Sequence, residues 1–296
     1  MSNANSSCFV IVDGSNVAHR AYHALKQSRD GIPVSLDKTS IASTSVVLKA
    51  LPRWIQLFKA THLAVIFDNG GLTFRHKRYA EYKAGREKDE YLQQDVRTLK
   101  TLLVQSSIGC IAPMQYEADD AIATLCHRAI DQSIAKVVIV SNDQDLWQLI
   151  QEKVVVLCPD RGLIDSKTVK QKMGLLPSQI PDYKALRGDI SDSIPGIKGI
   201  GEVTAVHLLN QYNNIDGIYK NIWRIQGRAY HALYRQEAVV TQYQALTQLK
   251  TDTPMRRSVA SFKIESLNFE LLIQPLQTWG MKDLARQYGH TVKKLE

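Results

Sequence analysis

Nine of the carboxylates in the first 192 residues of this chain fall in five places: Asp13, Asp68, the Glu117-Ala-Asp119-Asp120 group, Asp143-Gln-Asp145 and Asp189-Ile-Ser-Asp192. Asp13 follows the apolar run at 9–12, Asp68 the run at 63–67, and Asp143 and Asp145 the run at 137–140. A lone acid in such a place usually serves a turn. The Glu117 group could cap a helix and complement its dipole. Capping accounts for one or two acids in a group, not for three together. Gathered without compensation, so many negative charges repel one another by roughly several kcal/mol. Hard divalent cations remove that difficulty, because magnesium prefers oxygen ligands and keeps waters through which further acids can act. Two such ions roughly 4 Å apart can clamp a phosphate, activate a water and stabilise the leaving oxygen. The chain has no Gly-x-Ser-x-Gly elbow and no cysteine in a nucleophile setting. The chemistry to expect is metal-assisted hydrolysis at phosphorus, with no covalent intermediate.

Basic residues supply the next signal. Arg75, His76, Lys77, Arg78, Lys83, Arg86 and Lys88 flank Tyr79, Tyr82 and Tyr91. Cations interleaved with aromatics suit a single-stranded nucleic acid, whose phosphates pair with charge and whose bases stack. At i, i+3 spacing Lys83 and Arg86 would share a helix face and could stabilise charge developing on a phosphate. Arg20, seven residues after Asp13 and beside Tyr22, joins them as a candidate. A merely solvated face is the plain alternative, and for Lys88 it is the preferred one.

A glycine-rich segment at 195–205, PGIKGIGEVTA, has the spacing GxxGxG and no strand before it, so it is not a dinucleotide fingerprint. It lies between a helical pattern that Gly188 closes and the amphipathic stretch 203–212, which is a helix–hairpin–helix arrangement. Glycines 196, 199 and 201 permit a tight turn, and amides at the next helix start can hold a phosphate beside Lys198. Such contacts ignore base identity and weaken with salt. A plain interhelical turn is the alternative. The residues expected at nucleic acid are Tyr22, Arg75, Tyr82, Gly196, Lys198, Gly199 and Gly201.

The elements that must position these groups can be read from apolar periodicity. Short runs at 9–12, 63–67, 137–140 and 154–157 suit strands buried on both faces, as in a parallel sheet. Helical patterns at about 39–59, 92–106 and 118–132 alternate with them, which predicts an α/β domain with right-handed crossovers. In open sheets of this kind, ligands bind beyond the carboxyl ends of the strands, where the acids lie. We expect a short leader at 1–8, the α/β domain at 9–180, and a helical domain at 181–296 with the hairpin motif at about 183–212. The chain has 296 residues, a net charge of +8 and 44% hydrophobic residues, with a pI near 9.2. That balance fits a globular protein with a polyanionic partner. Cys8, Cys110, Cys126 and Cys158 form no CxxC pair, so reduced, mostly buried thiols are expected rather than zinc or disulfides. Residues 1–7 carry neither a basic n-region nor an apolar run, and no stretch reaches ~18 apolar residues, so no membrane association is expected, and a cytoplasmic monomer is.

These motifs together are similar to the 5′-nuclease domain of bacterial DNA polymerase I and, more broadly, to phage 5′-nucleases and flap endonucleases. The resemblance runs from about 9 to 289 and rests on VDGSNVAHRAYHA at 12–24, IFDNGGLTFRHKRYAEYKAGR at 66–86, YEADDAIATL at 116–125, VSNDQDLWQL at 140–149 and ALRGDISDSIPGIKGIGEVTA at 185–205. It implies a resolvase-like (PIN-type) α/β fold, a mostly parallel sheet with helices on both faces, joined to a C-terminal helical domain. It implies Mg²⁺, with Mn²⁺ as a substitute, in two sites: one at Asp13, Asp68, Glu117, Asp119 and Asp120, the other at Asp143, Asp145, Asp189 and Asp192. It further implies a helical arch at about 75–95, with Lys83, Arg86 and Arg20 acting in catalysis, and a K⁺ ion on backbone carbonyls of Gly196, Ile197, Gly199 and Ile200. The sequence departs from the usual motifs at Gln144, Trp147 and Ser193, and the arch stretch lacks a proline. The expected activity is 5′–3′ exonuclease or flap endonuclease on DNA with 5′ ends, flaps or RNA primers, in replication and repair. A stand-alone bacterial, nucleoid-associated form is expected. The rival readings are a branched-DNA-binding module with little catalysis and an RNA-directed PIN-type nuclease.

Overall fold

The computed structural model describes residues 7–27, 40–85 and 89–295. Its centre is a six-stranded sheet of β1 (Cys8–Asp13), β2 (His62–Ile66), β3 (Gly109–Ile111), β4 (Lys136–Val140), β5 (Val154–Cys158) and β6 (Gly162–Ile164). The spatial order is β3-β2-β1-β4-β5-β6, parallel except for the β5–β6 hairpin. Four of the six strands match the apolar runs in the sequence. The others, β3 and β6, are three residues each, too short for periodicity to reveal.

The helices are α1 (Gly14–Lys26), α2 (Ala42–Phe58), α3 (Phe74–Arg78), α4 (Glu90–Gln105), α5 (Ala118–Asp131), α6 (Ser166–Met173), α7 (Ile180–Arg187), α8 (Glu202–Tyr212), α9 (Ile215–Lys220), α10 (Gly227–Leu233), α11 (Glu237–Thr247), α12 (Ile273–Thr278) and α13 (Lys282–Leu295). All six residues of β1 are buried, and alternation splits them between two cores. Phe9 and Ile11 join Ala64, Ile66, Val137 and Ile139 beneath α5. Val10 and Val12 join Leu63, Val65, Val138 and Val140 beneath α2 and α4. Continuous apolarity in these strands is the consequence of helices on both faces.

A third core holds α7 to α11 together, through Leu186, Ile197, Ile200, Leu208, Leu209, Ile218 and Val240. The expectation of one helical unit over 181–296 does not hold for packing. Beyond α11 the chain returns to the sheet: Leu249, Val259 and Phe262 enter the core under α5, and Phe269, Leu272, Leu276, Leu284 and Tyr288 enter the core under α2. The Tyr288 hydroxyl donates to the Leu48 carbonyl at 2.7 Å. Irregularly spaced aromatics announce burial but not which core receives them. The cysteines are free, with Cys8, Cys126 and Cys158 buried. Among the described residues no helix is long and apolar enough to cross a membrane.

Candidate metal centre

Strand register brings the acids together. Val12 lies beside Val65 on β2 and Val140 on β4, so the carboxyl ends of these strands share one edge. Chain order reverses direction across the sheet at β1, and a crevice forms at that switch point. Asp13 closes β1 and caps α1: one carboxylate oxygen accepts from the Asn16 amide at 3.0 Å, the other from the Ser141 hydroxyl at 2.8 Å. Asp68 accepts from the Ala118 amide at 2.9 Å, tying it to the start of α5. The first turn of that helix carries Asp119 into a cleft of about 520 Å³, which Asp13, Asp68, Glu117, Asp143, Asp145 and Asp192 also line. Asp143 accepts from the Asp145 amide at 2.9 Å. Oxygens of Asp145, Asp189 and Asp192 lie within 4.8 Å of one another.

Asp120 differs from the other acids. It is fully buried and pairs with Arg75 through two bonds of 2.6 and 2.8 Å. It also accepts from the amides of Glu117 and Lys250 at 3.1 and 2.9 Å. These bonds occupy both of its carboxylate oxygens, so Asp120, expected among the metal ligands, does not line the acidic cleft. The expectation that Arg75 meets DNA is corrected with it, since Arg75 is 1% exposed and also donates to the Leu246 carbonyl at 2.7 Å. Tyr22 and Tyr82 are likewise buried and present no face to a base. The Tyr22 hydroxyl donates to Asp89 at 3.1 Å, while the Tyr82 hydroxyl lies 3.0 Å from Glu117 and 2.9 Å from Asp192.

After α3 a tight turn runs to Gly85, with Lys83 in the left-handed region at φ 52°. The Lys83 amide donates to the Asp192 carbonyl at 3.1 Å, and its ammonium reaches Glu117 at 2.8 Å. Arg86 and Lys88 lie outside the described residues. Arg20 is half-exposed and pairs with Asp160.

Lys184 escaped the sequence reading. From α7 its ammonium contacts Asp145 and lies 2.6 Å from Asp189, so a protein cation sits among the acids. A lysine five residues before Asp189 was visible in the sequence, but nothing there gave its direction. It lines a second cleft of about 620 Å³ with Arg20, Arg161, Lys172 and Arg187; that cleft shares Asn16, His19, Asp143 and Ser191 with the acidic one.

Proton affinities record the crowding. Burial, partly offset by the Asn16 and Ser141 hydrogen bonds, pushes Asp13 up to about 7. Burial and the charges of Asp143 and Asp13 raise Asp119 well above the usual range. Asp143 is raised by burial despite Lys184 and Lys83. Burial would raise Asp189 too, but Lys184 and Ser191 overcome it and hold Asp189 below its ordinary value. Lys83 is raised because Glu117 and Asp192 outweigh its burial.

In the hairpin between α7 and α8, Gly188 and Gly196 adopt φ of 91° and 69°. A Cβ on Gly196 would lie 2.3 Å from the Gly188 nitrogen, so the backbones meet where no side chain fits. Ile197 and Ile200 face inward, Lys198 and Gly199 are exposed, and Gly201 caps α8.

Residues 8–174 match the model of the 5'-3' exonuclease N-terminal resolvase-like domain, and 175–270 match the 5'-3' exonuclease C-terminal SAM fold. DNA polymerase I of Bacillus subtilis (strain 168) is 33% identical over 298 residues, covering 97% of this chain and 33% of that protein. The Synechocystis DNA polymerase I is 34% identical over 93% of this chain and 29% of its own length. The chain thus spans about a third of the length of these curated relatives. Among solved structures, a bacteriophage T5 5'-exonuclease with bound zinc aligns with a TM-score of 0.71 at 19% identity, covering 98% of this chain and 100% of that one. With both halves matched in order, the chain belongs to the 5'-3' exonuclease family.

Proposed function

We propose that this chain hydrolyses DNA phosphodiesters near 5′ ends and at 5′ flaps, using divalent metal. The observation that carries the reading is the convergence of eight carboxylates, all of the sequence candidates except Asp120, on two connected clefts at the sheet's switch point. The donors are hard oxygens, and burial with neighbouring negative charge raises the proton affinities of Asp13, Asp119 and Asp143, which suits Mg²⁺, with Mn²⁺ as a substitute. When bound, divalent ions supply an activated water and neutralise charge on the phosphate. Asp13, Asp68, Glu117 and Asp119 would hold one region of the site, and Asp143, Asp145, Asp189 and Asp192 the other. Lys83 would donate to a non-bridging phosphate oxygen, with Arg86 and Arg20 as further cations. Attack at phosphorus with cleavage of the bond to the 3′-oxygen leaves 5′-phosphate and 3′-hydroxyl ends.

The cation-lined second cleft suits the phosphates of the strand adjoining the cut. Lys198 and the exposed turn before α8 would hold a duplex phosphate without regard to base, and K⁺ on carbonyls of Gly196, Ile197, Gly199 and Ile200 would brace that turn. A polymerase I relative is consistent with work on primers and flaps in replication and repair. In a cleavage assay on a labelled DNA 5′-flap with Mg²⁺, Asp119→Ala and Asp145→Ala should each lower turnover by on the order of 100-fold or more. Wild-type turnover in either variant overturns the proposal, and faster cutting of an RNA flap by the wild type shifts the substrate to RNA.

A further inference from the structure

One surface of the helical unit has no part in the metal chemistry. Trp223 is 75% exposed, and its ring lies 6.1 Å from Tyr230 and 6.3 Å from Tyr234, which are themselves 5.4 Å apart. Large aromatics gain most from burial, so three grouped at the surface mark a place where something binds. The surrounding charge is one-sided. Residues 217–236 contain Lys220, Arg224, Arg228, His231 and Arg235; of the two acids that flank the stretch, Asp216 pairs with Lys220 at 3.5 Å and Glu237 begins α11. Among the described residues no ion pair engages Arg224, Arg228 or Arg235, and the Arg235 guanidinium lies 5.2 Å above the Tyr234 ring. The patch also adjoins the hairpin: on α10, Ala232 Cβ lies 3.5 Å from where a Cβ on Gly199 would stand.

Rings amid uncompensated cations fit a partner that is both anionic and flat. We propose that Trp223, Tyr230 and Tyr234 form a stacking platform for unpaired nucleotides of DNA, reached by a strand that leaves the duplex held at the hairpin. Bases within a duplex are already stacked on each other and show only their edges in the grooves, so ring faces gain little from them. Unpaired bases have free π-faces, and the arginines pair with the phosphates between them. The platform rests on the DNA reading above but not on catalysis. It gives the enzyme a preference among substrates that share one cleavage site.

The test is binding without turnover, in EDTA, by intrinsic tryptophan fluorescence and by anisotropy of labelled DNA. One probe is a duplex carrying an oligo-dT tail, and the other is the same duplex with blunt ends. The tailed probe should quench the exposed Trp223. Trp223→Ala should abolish the quench and weaken tailed-duplex binding roughly tenfold, while Trp223→Phe keeps most of the affinity and blunt-duplex binding stays unchanged. Turnover at saturating flap substrate should match the wild type, which also shows that the variant folds. Equal losses on tailed and blunt probes would reduce the patch to a backbone contact and overturn the proposal. Unchanged binding to both would overturn it in favour of a protein partner. If the wild type binds neither probe, the DNA reading itself fails.

Discussion

The acids of this chain are not equivalent, and neighbouring side chains decide which can hold a cation. Asp119 and Asp120 are adjacent, yet a helix turns successive residues by about 100°, so one enters the cleft and the other meets Arg75. Their variants should therefore differ. Asp120→Asn removes the two short ionic bonds to buried Arg75 and leaves its charge only the longer contact with Glu117 at 3.4 Å; it should cost up to about 3–5 kcal/mol of stability while Mn²⁺ binding, followed by electron paramagnetic resonance, is retained. A variant that is stable but poor in Mn²⁺ would return Asp120 to the ligands. Lys184 has the opposite standing, as a cation that competes for the same oxygens. Removing it with Lys184→Met should raise Mn²⁺ affinity at Asp145, Asp189 and Asp192 by about tenfold, whereas Lys184→Arg should leave it near wild type. Equal affinity in Lys184→Met and wild type would show that the lysine does not compete.

Short elements carry much of the site's precision. The connection from α3 through Lys83 is bound at both ends, by Arg75 to Asp120 at its start and by Tyr82 and Lys83 to Glu117 and Asp192 at its finish. It thereby links the α/β domain to the loop after α7. The resemblance implied a helical arch at about 75–95; over the described residues 79–85 the chain is instead a turn anchored by the buried groups Arg75 and Tyr82. The hairpin depends on backbone rather than side chains. Gly196→Ala places a Cβ against the Gly188 backbone at a φ that side chains resist. It should cost more than about 1 kcal/mol and weaken duplex binding, with Mn²⁺ binding preserved. A thermal melt beside a duplex titration checks both, and an unperturbed variant would mean that the turn has another conformation.

Over the whole molecule, the crowded acids make metal-free stability depend on pH with an unusual sign. Asp13, Asp119 and Asp143 bind protons more tightly folded than unfolded, and so does Asp182, through burial. The folded state then holds more protons, so stability falls as pH rises from about 4 through about 7. Asp89 and Asp189 are lowered despite their burial, and hydrogen bonds from Thr168 lower Asp165. These act in the other direction, below that window. His62, whose burial lowers it, opposes the trend within it as a single group. In EDTA the melting temperature should fall across this range, and added Mg²⁺ should restore most of the loss at the alkaline end. A melting temperature that rises with pH in EDTA would show that the acids are not crowded in the folded protein.

Residue types and spacing determined the chemistry and the central strands, because apolar runs and the acids that end them are local patterns. The α/β class, the strand-end edge and the glycine hairpin could all be read that way. What folding alone decided was direction and partnership. Asp120 left the acid set for Arg75, three expected DNA contacts went into the interior, and Lys184 entered the cleft. The segment after α11 closed both faces of the sheet instead of extending the helical unit. These outcomes depend on which distant residue fills the space beside each side chain. In a close-packed interior that is settled by the whole chain at once, and no local pattern encodes it.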